Sequence, residues 1–300
     1  MNAGENTHQV KRPEIPTRLL VHALVREDGT VDAAELYAVA GILGMSDQQV
    51  RLCIKRLVAE GQFTHEGRGR RAQLRAVADS TGSIVPDADH LRHAYRQDLG
   101  IAPWDGTWHL FAFAIPESLR TARDALRGTL LYLGAAAVQG GLYVSANAIE
   151  DLVEAEARRL GVLDAVKFLT STDLRMGGTG DPRDLAAAMW PLAEIAGRHE
   201  RLAAFAESCL SELRNGKVEA GAERLTMAVE LAAEFTRAME PDPLLPPDLL
   251  PRPWPGSRAR SLAQQCWAEL RETAGDQDRD KPLPRLFRLY DAALSPADER

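Results

Sequence analysis

Apolar and polar positions along the chain change period several times, and each change marks an element. Between Ile15 and Val25, Leu19, Leu20, Ala23 and Leu24 recur near helical spacing, and Pro16 sits where a first turn accepts proline. The run "DAAE", Asp32 to Glu35, has the form of a capping box and opens a helix through Leu43 that Gly44 closes. "SDQQ", Ser46 to Gln49, is a second box: the serine hydroxyl can accept from the Gln49 amide while the glutamine reaches back. The helix it opens puts Val50, Cys53, Ile54 and Leu57 on one face and Gln48, Arg51, Lys55 and Arg56 on the other, and Gly61 ends it. After it, "QFTHEGRGRRAQLRA" alternates as two short strands around a tip carrying Arg68, Arg70 and Arg71. Three helices and a hairpin predict a winged helix-turn-helix over residues 15–78, behind a disordered leader at 1–14.

Residues 79–102 read as a polar linker and a short helix, Leu91 to Leu99. From 103 to 176 the rhythm is β-α-β-β-α-β, a ferredoxin-like split unit. "TWHLFAFAI", "AAAVQGGLYVSA" with its Gly140-Gly141 turn, and "AVKFLT" supply the strands. Leu119, Ala122, Leu126 and Leu130 are in phase on the first helix, and Ile149, Leu152, Val153 and Leu160 on the second. The region 181–300 is helical, with long periodic stretches at Asp181 to Asn215 and Ala220 to Met239. Seven prolines between Glu240 and Gly256 exclude a helix there and predict an extended strap, pinned to a helical surface by Leu244, Leu245, Leu249, Leu250 and Trp254. A long helix follows from Ser257 to about Thr273, then a charged gap and a short terminal helix. The fold class is therefore α+β and multidomain: winged helix, ferredoxin-like middle domain, helical C-terminal domain.

Charge sharpens this picture. The chain is acidic, with a formal net charge of -7, yet Lys11 to Arg75 holds eleven Lys/Arg against eight Asp/Glu. A cationic region inside an anionic chain points to double-stranded DNA as a partner. Gln48, Arg51 and Lys55 would meet base edges in a major groove, while the arginines at the tip would fork onto phosphates. Arg56, beside Leu57, either joins that set or braces the helix. The opposing readings are a solvated hairpin and a scaffold that binds only proteins.

Other chemistry is sparse. Cys53, Cys209 and Cys266 are far apart, form no CxxC, and read as buried thiols. His90 and His93 lack further ligands nearby, so no metal site is expected. No cofactor or catalytic set is expected: there is no P-loop, no GxSxG and no Ser-His-Asp set. A metal-dependent nuclease built on the middle domain is the enzymatic alternative, and only Glu117 lies near the end of its first strand. The longest apolar run is too short to cross a bilayer and the N-terminus lacks the apolar centre of a signal peptide, so the cytoplasm is the expected location.

Longer stretches carry a resemblance. "RLLVHAL" (Arg18–Leu24), "QVRLCIKRLVAEG" (Gln49–Gly61) and "GRGRRAQLR" (Gly67–Arg75) belong to it. So do "PWDGTWHLFAFAIPE" (Pro103–Glu117), "LRGTLLYLGAAAVQGGLYVS" (Leu126–Ser145) and "DPLLPPDLLPRPWPGSRAR" (Asp242–Arg260). Together they resemble the PaaX family of bacterial transcriptional repressors. The resemblance implies a homodimer on an imperfect palindrome, a middle domain similar to a CRISPR adaptation nuclease, and release from DNA by an aryl- or acyl-coenzyme A effector. An anionic effector wants basic partners, for which Arg175, Arg183, Arg198, Arg237, Arg258 and Arg260 are candidates. The family's His-Glu-aromatic-Arg-Arg run reads Ala233, Glu234, Phe235, Thr236, Arg237 in this chain, and His199 stands where the family has tyrosine. Those departures add His199 and Glu234 to the candidate positions.

Overall fold

The first helix, α1 (Thr17–Ala23), starts directly after Pro16, whose extended backbone cannot continue a helix backwards. A tight turn follows: the Asp28 carboxylate accepts from the Thr30 amide at 2.9 Å and its hydroxyl at 2.6 Å, which holds the Asp28 carboxyl below its ordinary range. The turn delivers a short strand, β1 (Thr30–Asp32), absent from the sequence reading. Asp32 caps α2 (Ala33–Ile42) by accepting from the amides of Ala34 and Glu35, and the Glu35 carboxylate takes a 2.7 Å bond from Arg26. Ser46 and Gln49 form the reciprocal box that opens α3 (Asp47–Ala59). Strands β2 (Phe63–Glu66) and β3 (Gln73–Ala76) pair antiparallel, and β1 adds to β3, giving the order β1-β3-β2. The computed structural model describes residues 12–66, 73–77, 88–275 and 284–287; the Arg68, Arg70 and Arg71 tip and most of the polar linker lie outside them.

Beyond α4 (Ala88–Asp98) comes the four-stranded antiparallel sheet. Its elements are β4 (Trp108–Phe113), α5 (Arg120–Tyr132), β5 (Ala136–Gln139), β6 (Leu142–Ser145), α6 (Glu150–Arg159) and β7 (Val166–Ser171). The strand order β5-β6-β4-β7 is that of a split β-α-β-β-α-β unit. Alternation along β4 sends Phe111 to the face covered by α5 and α6 and Trp108 to the opposite face. Two leucines contradict the expected inward phase: Leu119 is 47% and Leu152 is 57% exposed. Leu119 belongs to a 3₁₀ turn, Glu117–Leu119, whose period differs from that of α5. The buried stripe at the start of α6 runs Ile149, Val153, Ala157, and residue 152 falls off it.

The helical periodicity from Asp181 to Asn215 is interrupted. Pro191 forces Trp190 into extended backbone, splitting the stretch into α7 (Pro182–Met189) and α8 (Leu192–Arg214). Then come α9 (Ala222–Met239), the proline strap with one 3₁₀ turn at Pro247–Leu249, and α10 (Pro255–Gly275). The strap corrects a second expectation. Leu245, Leu249 and Leu250 pack with Trp108, Val144, Leu185 and Trp190, so it lies on a sheet face and α7 rather than on helices alone. Asn147 and Gln97 fix it by donating to the Leu244 carbonyl at 2.9 and 2.8 Å. No helix among the described residues is long and apolar enough to cross a membrane.

The chain forms two compact units. One contains residues up to Arg92, His199–Arg237 and the chain from Arg258; its N-terminal core is Leu20, Leu24, Leu36, Leu57, Phe63 and Leu74. In it Pro284 bridges Arg26, and the Arg285 amide donates to the Val25 carbonyl at 2.7 Å. The other unit contains His93–Arg198 and Ala238–Ser257, which is the four-stranded sheet with α7 and the strap.

Candidate nucleic-acid interface

Helix α3 owes its orientation to three apolar side chains. Val50 and Leu57 are almost fully buried and Ile54 nearly so, which fixes the opposite face outward. That outward face carries Gln48, Arg51, Lys55 and Arg56, all exposed. Arg56 therefore stands with the solvent-facing set rather than beneath it. Cys53 sits at the margin of the buried stripe and is half-buried, less enclosed than its spacing implied.

Several arginines on other elements sit beside a carboxylate: Arg92 pairs with Asp89 at 2.9 Å, Arg159 with Glu156 at 2.7 Å and Arg198 with Glu194 at 2.7 Å. Among the described residues, none supplies a carboxylate partner to Arg51, Lys55 or Arg56. The nearest acid at the helix end, Glu60, is held by Arg18 of α1 at 2.8 Å. Asp47 in the first turn is the one acid of α3 and makes no ion pair with these cations, so three cations against one carboxylate leave a surface that attracts polyanions. At about 1.5 Å per residue, α3 is about 20 Å long and narrow enough for a DNA major groove.

One outward residue was missed by pattern reading. Leu52 is 49% exposed and lies one turn after Gln48 on the same stripe, which continues through Lys55 and Ala59. The i, i+4, i+7 spacing from Gln48 was present in the sequence; a leucine between Arg51 and Cys53 was simply not read as a surface residue.

The candidate effector positions fall in both units. In the sheet-containing unit, Arg175 pairs with Asp173 at 2.8 Å, Arg198 with Glu194, and Arg183 donates to the Asp248 carbonyl at 2.8 Å. In the other unit, His199 is fully buried, Glu234 and Arg237 pair with each other, Arg258 pairs with Glu207, and Arg260 is buried. Glu117 is held by Arg123 at 2.8 Å, so that carboxylate is engaged by a cation of the protein. Among the described residues no group of three or more His, Cys, Asp or Glu could hold a metal ion.

The thiols give a pH-dependent expectation. Burial pushes the Cys266 thiol up to about 12, and raises Cys209 as well. A raised pKa keeps a thiol protonated and unreactive until the pH climbs past it. Burial raises the Cys53 thiol too, but this side chain is only half-buried, so at pH 8 a disulfide-exchange reagent is expected to label Cys53 slowly in the folded protein and to reach Cys209 and Cys266 only after denaturation. Mass mapping of the labelled peptides checks this, and early labelling of Cys266 contradicts the packing of α10.

Comparison with known proteins adds two domain matches. Residues 101–186 match the model described as PaaX protein central Cas2-like domain, and residues 190–277 match PaaX-like protein C-terminal domain. The solved structure of the uncharacterized protein Rv0674 from Mycobacterium tuberculosis is similar in fold. It has a TM-score of 0.51 and 20% identity, over 87% of this chain and 99% of that one. No curated protein matches the chain.

Proposed function

We infer function from one premise: the chain belongs to the PaaX family, whose two domain models together cover more than half of its length. Those domains are consistent with a transcriptional regulator. On that basis residues 15–78 are read as a winged helix-turn-helix that binds double-stranded DNA, followed by a linker and helix (79–102), a ferredoxin-like domain (103–176) and a helical domain (181–300). The protein is proposed to act in the cytoplasm as a homodimeric repressor on a palindromic operator, without enzymatic activity or cofactor. In this reading α3 enters the major groove, with Gln48, Arg51 and Lys55 toward base edges and Arg56 toward the backbone. Arg68, Arg70 and Arg71 reach over the adjacent phosphates. The observation that carries the reading is the cationic outward face of α3, which the described carboxylates leave unneutralised.

An acyl- or aryl-coenzyme A effector would act by preferring a DNA-incompetent state. Its proposed contacts are Arg175, Arg183, Arg198, His199, Glu234 and Arg237. Glu234 engages one nitrogen of the Arg237 guanidinium, so an arriving phosphate would share Arg237 with that carboxylate or compete with it.

Single arginines test the division of labour. Arg51→Ala is expected to cost about 1–3 kcal/mol on the preferred duplex and to flatten discrimination between sequences. Arg70→Ala is expected to weaken all duplexes alike. Equilibrium binding to a matched pair of specific and scrambled duplexes measures both. Sequence preference that changes with Arg70 but not with Arg51 would overturn the assignment.

A further inference from the structure

We propose that Leu52 is a specificity-determining residue that reads the C5 methyl of thymine in the major groove; this rests on the DNA-binding reading above. The argument begins with its position. Gln48, Leu52, Lys55 and Ala59 follow i, i+4, i+7, i+11 spacing and are all exposed, so they form one stripe diametrically opposite Val50, Ile54 and Leu57. Leu52 is near the centre of that stripe, with Arg51 on one flank and Arg56 on the other. A lone exposed leucine on a surface needs no explanation. This one occupies the part of α3 that any groove-bound partner must meet first.

The flanking charges decide what kind of partner that is. The core of a protein–protein interface is depleted of lysine, although arginine is enriched there, and its charges meet opposite charges on the partner. Here the leucine is enclosed by Arg51, Lys55 and Arg56, none with a carboxylate partner among the described residues. A surface of donors around a single aliphatic group is complementary to the major groove, where acceptor atoms and phosphates surround one apolar feature, the thymine methyl. The spacing also constrains the sequence read. Four residues at about 1.5 Å per residue separate Leu52 from Gln48 by about 6 Å along the axis, close to two base-pair steps of about 3.4 Å. A glutamine pairs best with adenine through its amide. The preferred half-site therefore contains an adenine for Gln48 and a thymine methyl for Leu52 within about two base pairs of each other.

The test removes the methyl from the DNA rather than the contact from the protein. A duplex enriched by the full-length protein from a randomised 30-base-pair library is resynthesised with deoxyuridine replacing thymine, one position at a time. For the wild type, a single uracil at the position read by Leu52 is expected to weaken binding about fourfold, the effect of losing one buried methyl group. Leu52→Ala, whose folding is checked by circular dichroism, is expected to bind thymine and uracil duplexes equally. If wild type binds the enriched duplex but no uracil substitution matters, Leu52 reads no methyl and the inference fails while the DNA reading stands. If Leu52→Ala keeps the full thymine preference, another residue reads the methyl and the inference again fails. If Leu52→Ala instead changes the oligomeric state by light scattering and leaves thymine preference intact, Leu52 serves a second copy of the chain and not DNA. If no duplex is enriched, the underlying DNA reading falls with it.

Discussion

Gly134→Ala is expected to destabilise the sheet-containing unit by about 2–5 kcal/mol. Gly134 has φ +85, a left-handed backbone that costs a residue with a Cβ about 1–2 kcal/mol. An added Cβ would also lie 2.6 Å from the Pro243 carbonyl oxygen and 2.8 Å from its Cα. Both neighbours are backbone, so neither can rotate away, and overpacking of this kind costs about 1–3 kcal/mol more. The strap would have to lift, loosening the Asn147 and Gln97 bonds to Leu244 and the seat of Trp190, whose indole N–H donates to the Gly134 carbonyl at 3.0 Å. Gly161→Ala is the control: its φ is +69, but a Cβ there meets nothing within 4 Å. Thermal or urea unfolding followed by tryptophan fluorescence should show the larger loss at Gly134. Equal losses at the two sites would mean that the strap does not press on the sheet as described.

The second large effect is on binding and not on stability. Replacing Arg51, Lys55 and Arg56 together with alanine is expected to lower affinity for the preferred duplex at least about 100-fold. One base contact accounts for about 1–3 kcal/mol, and the lost phosphate neutralisation adds to it. The same substitutions should leave stability within about 0.5 kcal/mol, since all three side chains are exposed and lack carboxylate partners among the described residues. A triple variant that melts early would instead assign these residues a structural role.

Sequence reading succeeded where interactions are local. The Ser46–Gln49 box is written in four residues and forms as expected. The two hairpin partners β2 and β3, and the order of strands and helices from Trp108 to Ser171, followed from period changes alone. It failed where a neighbour in space, or a short element, decides the outcome. Strand β1 has three residues, too few to show alternation, and exists because β3 supplies its partners. The strap's leucines were correctly expected to be buried, but that Trp108 and Val144 of the sheet cover them is a tertiary fact. Pro191 is an instructive miss: the periodicity on both sides is helical, and the break is visible only if the proline is weighed against it. On the outward face of α3, exposed polar residues were legible because charge is easy to read, and the exposure of Leu52 was not, because for an apolar residue it depends on the phase its neighbours set.

The central claim is that the outward face of α3 grips duplex DNA through charge. The direct measurement is wild-type affinity for duplex DNA as salt is raised from 50 to 200 mM. Each neutralised phosphate adds about 0.9 to the slope of log affinity against log salt. A steep negative slope that flattens by about one unit or more in the Arg51/Lys55/Arg56 variant is the predicted result. Affinity that is absent at low salt, or insensitive to salt and to those three substitutions, would contradict the account.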